Sequence, residues 1–158
     1  MRKMLTSGLA VFAGVVSLPG QISPRQAHPS RAPEYRNDPR LESLQRFFQK
    51  TECPVLDYSR EFLEAADRYH LDWRLLPSIS YVESTGGKAA LHNNLFGWDS
   101  GRAEFSSFKA SIFEVGYQLA NSWLYRHKTT DAILATYNPN ADYGQKVTWV
   151  MRQIAPSR

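Results

Sequence analysis

From Pro39 to Ile154 apolar residues recur at three- and four-residue spacing in one segment after another, and this period limits the folds open to the chain. Asp38-Pro39 reads as a cap followed by proline at the first helical position, with Leu41, Leu44 and Phe48 at helical spacing behind it. Between Asp57 and His70, Phe62, Ala66 and Tyr69 form one stripe, and Glu61, Glu64 and Arg68 lie off it. Asp72 can cap a segment in which Leu76, Ile79 and Glu83 share nearly one azimuth, flanked by Leu75 and Val82. Pro77 belongs in its first turns, so regular helix is expected to begin there, and Gly86-Gly87 ends it. Ser106 or Ser107 caps a long helix striped by Phe108, Ile112, Val115 and Leu119; Phe113, Tyr117, Ala120 and Leu124 widen the stripe until the helix reads as the central one. Thr130 caps a shorter helix with Ile133, Leu134 and Tyr137, broken by Asn138-Pro139. A last helix near Tyr143 to Ile154 turns Val147, Val150, Met151 and Ile154 inward. Only 91–105 lacks the period: Phe96 and Trp98, then Ala103 and Phe105, alternate around Asp99-Ser100-Gly101, which allows a small hairpin or a looped lobe. With no repeats and no coherent set of strands, the expected class is all-α with at most a minimal β-hairpin.

The first 38 residues obey other rules. Arg2 and Lys3 precede an uncharged apolar run from Met4 to Leu18, shorter than the roughly 20 residues a spanning helix needs. This is the pattern of a signal peptide over 1–27, cut near Val15-Val16-Ser17 or Ala27, so export rather than a stable membrane span is expected, to the periplasm or outside the cell. Prolines at 29 and 33 among Ser, Arg and Asn make 28–38 a tether before a folded domain at 39–158. Arg2, Lys3 and Arg25 account for most of the net +4 charge; from His28 onward 16 Lys and Arg face 15 Asp and Glu. A body that close to neutral has no footprint for nucleic acid. Cys53 is the only cysteine, so no intrachain disulfide can form, and it reads as a small buried hydrophobe. His92 has neither a second ligand nor a helical partner, so no metal site is expected.

Glu83 is the residue that breaks pattern. It continues an apolar stripe and sits in the last turn of its helix, where the dipole disfavours negative charge. Burial and the carbonyl end of the helix would each favour the protonated form, and a carboxylic acid that keeps its proton can protonate the leaving oxygen of a glycosidic bond. The plainer reading is an edge glutamate reaching solvent.

The surrounding motifs add a resemblance. Tyr81-Val82-Glu83-Ser84-Thr85-Gly86-Gly87 followed by Asn93-Asn94-Leu95-Phe96-Gly97-Trp98 resembles the catalytic region of the bacterial glucosaminidases of the lysozyme superfamily, the mannosyl-glycoprotein endo-beta-N-acetylglucosaminidase-like enzymes. Glu-Ser also marks the lytic transglycosylases that share that fold. Tyr137-Asn138-Pro139 and Tyr143-Gly144-Gln145-Lys146-Val147 resemble the glucosaminidase pattern of two tyrosines six apart, and Tyr137-Asn138 is similar to the Tyr-Asn pair of the transglycosylases. The resemblance covers roughly Leu75 to Ile154 and implies a lysozyme-like fold that cuts peptidoglycan glycan strands. Glu83 would be the acid at the mouth of a groove, with Tyr137 reaching across to the sugar or orienting the acid. Ser84, Asn93, Asn94, Phe96, Trp98 and Asn138 would bind substrate. The residues themselves leave structural roles open: loop asparagines often satisfy their own backbone, Phe96 and Trp98 can cover the core, and Tyr137 can be a core ring with a satisfied hydroxyl.

Hydrolysis by water usually needs a second carboxylate. Only 21 residues separate Glu83 from Glu104, so the lobe in which the hydrolytic glucosaminidases carry one is trimmed here. Asp99 and Glu104 remain as candidates, although Asp99 suits the Asp-Ser-Gly turn and Glu104 alternates outward from Phe105. Without either, Glu83 could act first as acid and then as base while the sugar's own 6-hydroxyl closes a 1,6-anhydro ring, the transglycosylase route. Neither chemistry calls for a metal or organic cofactor. A third expectation is a glycan-binding module that has kept the groove and lost the chemistry.

Overall fold

The computed structural model describes residues 34–156, and in them the helical period is realised as six α-helices with no strand. The expected signal peptide and most of the expected tether lie outside the described residues. The helices are α1 (Pro39–Lys50), α2 (Ser59–Tyr69), α3 (Leu75–Ser84), α4 (Phe108–Asn121), α5 (Thr130–Tyr137) and α6 (Ala141–Ile154), with a 3₁₀ turn at Pro54–Tyr58 between the first two. None is long and apolar enough to cross a membrane.

Side-chain oxygens set several of the starts. Asp38 accepts from the amide of Arg40 at the head of α1, with Pro39 at the first position. Ser107 accepts from Ala110 before α4. Thr129, one residue earlier than expected, caps α5, and Asn140 caps α6 so that it opens at Ala141 rather than Tyr143. α3 starts at Leu75, ahead of Pro77, because a proline two residues in gives up only an amide that the helix leaves unpaired in any case. Asp72 does not cap it directly; its side chain accepts from the Arg74 amide and its carbonyl from the Leu75 amide, forming the turn that leads in. The left-handed residue that ends α3 is Thr85, φ 54°, with Gly86 and Gly87 continuing the reversal.

The central helix is α3, where the sequence pointed to α4. Leu75, Leu76, Pro77, Ser78, Ile79 and Ser80 are all buried, six consecutive residues with no solvent face. Helix α6 packs along it, α2 lies against α4, and α5 pairs with α6. On α4 the buried face is Ser111, Ile112, Val115, Gly116 and Leu119, whereas Tyr117 is exposed and Phe113 lies under the Arg68 guanidinium, 4.8 Å from its ring centre. Gly116 marks the closest approach, since a Cβ there would stand 3.0 Å from the Tyr69 ring and 3.2 Å from Leu76. Leu124 falls beyond the end of α4 and is exposed. Cys53 is buried, its sulfur 3.1 Å from Thr51 Oγ1.

The last residues of the expected tether belong to the folded body. Tyr35 is buried, and its hydroxyl donates to Asp67 Oδ2 on α2 at 3.0 Å. Arg40 closes the same cluster, reaching Asp67 at 2.7 Å and Asp38 at 2.7 Å. A single aromatic ring with a hydrogen-bond partner is enough to dock a segment whose neighbours cannot pack. Hydrogen bonds from Arg40 hold both carboxyls below the usual aspartate range, and the same guanidinium's charge adds to this. The unfolded chain therefore takes up protons first as the pH drops. The stabilisation is complete above about pH 4 and is lost as the pH falls through the depressed folded-state values. With Asp67 partly exposed, Asp67→Asn should cost about 0.5–1 kcal/mol near neutrality and flatten the acid limb of stability, read from urea midpoints between about pH 6 and pH 2.

Candidate functional site

The end of α3 is fixed to the loop after it through one hydroxyl. Ser84 is buried; its Oγ lies 3.0 Å from the Ser80 carbonyl and 2.8 Å from the Leu95 carbonyl, and it accepts from the Gly87 amide at 3.1 Å. That places Leu95 and Phe96 in the core, where both are fully buried. The loop itself forms no hairpin. Asn93, at φ 57°, donates to the Phe105 carbonyl at 2.8 Å, and the Phe105 amide donates to the His92 carbonyl at 3.0 Å, closing 92–105 as a ring. Asn94, also buried, donates to the Trp98 carbonyl and accepts from the Trp98 amide, clamping the Phe96-Gly97 turn from inside. Three expected substrate binders are therefore architectural, since Ser84 and Asn94 spend their polar atoms on backbone and Phe96 has no surface, while half-exposed Asn93 gives its amide nitrogen to the Phe105 carbonyl.

Glu83 itself is exposed, which corrects the expectation of a desolvated acid: the stripe it continues ends one turn too late for the core to cover it. Its surroundings are nonetheless specific. Gly97 has φ +60°, and a Cβ at that position would stand 2.9 Å from Glu83 Oε2 and 3.6 Å from Cδ, so the loop backbone lies directly against the carboxyl. Tyr137 and Tyr143, both near enough to feel the Glu83 charge, stand with ring centres 5.8 Å apart and planes 6° from parallel. Trp98 continues the aromatic wall, 5.8 Å from Tyr137 and 6.1 Å from Tyr125.

The two tyrosines are held differently. Tyr137, half-buried, donates its hydroxyl proton to the Phe96 carbonyl. Burial raises its proton affinity well above that of a free phenol, and the Glu83 carboxylate adds to the rise. Tyr143 is shifted the same way, by burial first and then by its close approach to Glu83. That approach does not meet the geometry of a hydrogen bond, and the Tyr143 hydroxyl has no partner among the described residues. Both phenols stay protonated across the physiological range, so each remains a donor. Tyr143 is the member of the site that sequence reasoning passed over, although the six-residue spacing from Tyr137 pointed to it.

The remaining predicted residues make other contacts. Asp99, φ 52°, serves the turn and pairs with Arg102 at 2.7 Å on the open surface. Glu104 is exposed and lies 3.7 Å from His92 Nδ1. Asn138 folds back to accept from the Asn140 amide at 3.0 Å. It also lines a hollow of about 1040 Å³, which runs between α5, α6 and the end of α3 past Tyr81, Val82 and Trp149. Glu83 stands outside that hollow, next in sequence to Val82.

Comparison with protein-family models, curated proteins and solved structures finds no match to the chain.

Replacing Ser84 by Ala removes a buried hydroxyl and leaves the Leu95 carbonyl and Gly87 amide short of a partner, an expected cost of about 1–3 kcal/mol. Urea unfolding would measure it, and an unchanged midpoint would show that the tie does not hold the loop.

Proposed function

We propose that the chain cleaves the glycan strands of bacterial peptidoglycan, with Glu83 as the proton donor. The observation that supports this is convergence: Glu83 from the end of α3, Gly97 from the following loop, and Tyr137 and Tyr143 from α5 and α6 meet at one point, and these are the segments whose motifs resemble the glucosaminidases and lytic transglycosylases. A carboxyl backed by a glycine and walled by aromatic rings suits a sugar bond laid against it, since flat sugar faces rest on rings. The free carboxyl is open to water, so exclusion of solvent comes with the strand. Glu83 gives its proton to the bridging oxygen as the bond from the anomeric carbon breaks. The Tyr143 hydroxyl, close to Glu83 and without another partner, is a positioning residue for that carboxyl.

Asp99 pairs with Arg102 on the surface and Glu104 is exposed, with His92 3.7 Å away, which favours a route needing one carboxylate. In it Glu83, now ionised, takes back a proton from the 6-hydroxyl of the same sugar as that oxygen closes on the anomeric carbon. The product is a 1,6-anhydro ring, no water is consumed, and Glu83 ends as it began.

Digestion of purified peptidoglycan followed by mass spectrometry tests the reading. Wild type should release fragments with anhydro ends, and Glu83→Gln should lower the rate by about 10²–10⁴-fold. Reducing ends instead would assign hydrolysis of the glucosaminidase type. Undiminished cleavage by the variant removes Glu83 as the acid, and wall binding by wild type without cleavage replaces the enzyme with a glycan-binding module. Tyr143→Phe separates positioning from packing: loss of an unpartnered hydroxyl should leave the unfolding midpoint unchanged or raised, yet slow cleavage by about 10–100-fold. A rate that follows only the folded fraction would give the hydroxyl no part in the reaction.

A further inference from the structure

Beyond α4 the chain makes a tight loop at 122–129 that presents an apolar tip beside a run of positive charge. Trp123 is 82% exposed, the most open large hydrophobic side chain described, and Leu124 next to it is 39% exposed. Arg126, His127 and Lys128 follow, all exposed, and no carboxylate occurs between Asn121 and Thr130. The loop is not loose: Tyr125 is buried in its middle and packs against Trp98, the Tyr125 amide donates to the Ser122 carbonyl at 3.1 Å, and Lys128 Nζ donates to Thr136 Oγ1 at 2.6 Å. A fixed loop holding a tryptophan in water carries a cost that a folded interior would relieve, so the exposure calls for an occupant.

A second observation points to what it is. Behind the same loop lies a hollow of about 390 Å³ lined by Arg68, His70, His127 and Lys128, together with Tyr69 and Tyr125, and no acidic residue lines it. Arg68 is bonded to Glu64 through one nitrogen, at 2.7 Å, and Lys128 uses one of its three ammonium donors on Thr136, so both keep donors to spare. We propose that the 122–129 loop and this hollow form a docking site for an anionic phospholipid surface. Trp123 and Leu124 enter the headgroup boundary, Arg126 and Lys128 meet the negative surface, and the hollow receives a headgroup phosphate. Indole suits that boundary because its ring is apolar and its N–H stays wet, and cations beside it add attraction only where the lipid is charged. The contact is peripheral and requires no spanning segment.

The test uses the full chain on vesicles of phosphatidylglycerol and phosphatidylcholine with brominated acyl chains, and on brominated phosphatidylcholine alone, reading indole fluorescence. The apolar run Met4–Leu18 is common to all variants, so differences between them report the loop. On the anionic vesicles quenching is expected, and Trp123→Phe should remove the greater part of it, leaving Trp73, Trp98 and Trp149 bright. Joint replacement of Arg126, His127 and Lys128 by serine should weaken the Trp123 insertion roughly ten- to thirtyfold. Quenching unaffected by Trp123→Phe, or equal on the two kinds of vesicle, would overturn the proposal. So would an indole signal that responds to soluble peptidoglycan fragments and not to lipid, which would give the loop to the glycan. None of these outcomes depends on whether Glu83 is the acid.

Discussion

Complete burial of the first six residues of α3 is the constraint on which the other elements are arranged. A helix surrounded on every side has to give most of its polar side chains partners within it; in α3 Ser80 and Ser84 have them, while the Ser78 hydroxyl has none among the described residues. Ser80 Oγ donates to the Pro77 carbonyl at 2.8 Å, and Ser84 Oγ turns back to Ser80 as well as forward to Leu95. Ser80 and Ser84 thus take part in the core instead of interrupting it. Because α3 is enclosed up to Ser80 and its last turn emerges, the one strongly polar side chain at the end of that turn arrives at the surface with its backbone rigidly supported.

The same device builds the rest of the site. The loop after α3 has no regular structure, yet Asn93, Asn94 and Ser84 tie it at both ends and in the middle. Irregular backbone held this way can bring Gly97 to within touching distance of a carboxyl without a strand to carry it. Tyr137 completes the link by bonding the Phe96 carbonyl, so α5 is joined to the loop through its aromatic ring and not through main chain.

The helices were legible from the sequence because their stripes are strong, and their ends shifted by one or two residues where neighbouring cap residues competed, as at Thr129 and Thr130. The choice of central helix was not legible. Serines at 78, 80 and 84 dilute the apolar count of α3 although all three are buried, Ser80 and Ser84 bonding back to carbonyls of their own helix, whereas Phe113 and Tyr117 inflate that of α4 while lying half-buried and exposed. The site was legible as a set of motifs but not as a division of labour. Azimuth alone placed Glu83 with Leu76 and Ile79, and it says nothing of where along the axis the core stops. For the asparagines the general habit of loops was the better guide: a positive φ at Asn93 and two bonds from Asn94 to Trp98 commit both side chains to shaping the turn.

Docking of Tyr35 moves the true edge of the folded body upstream of its first helix. A chain shortened to begin at Pro39 would keep every α-helix and still lose a ring from the interior, and with it the hydroxyl donor that Asp67 receives at 3.0 Å. It would also lose Asp38, and so expose Arg40 with one of its two counter-ions gone. Any trimming from the N-terminal side has to stop short of that ring if the domain is to keep its full complement of packing, so the helical pattern alone is a poor guide to where such trimming can end.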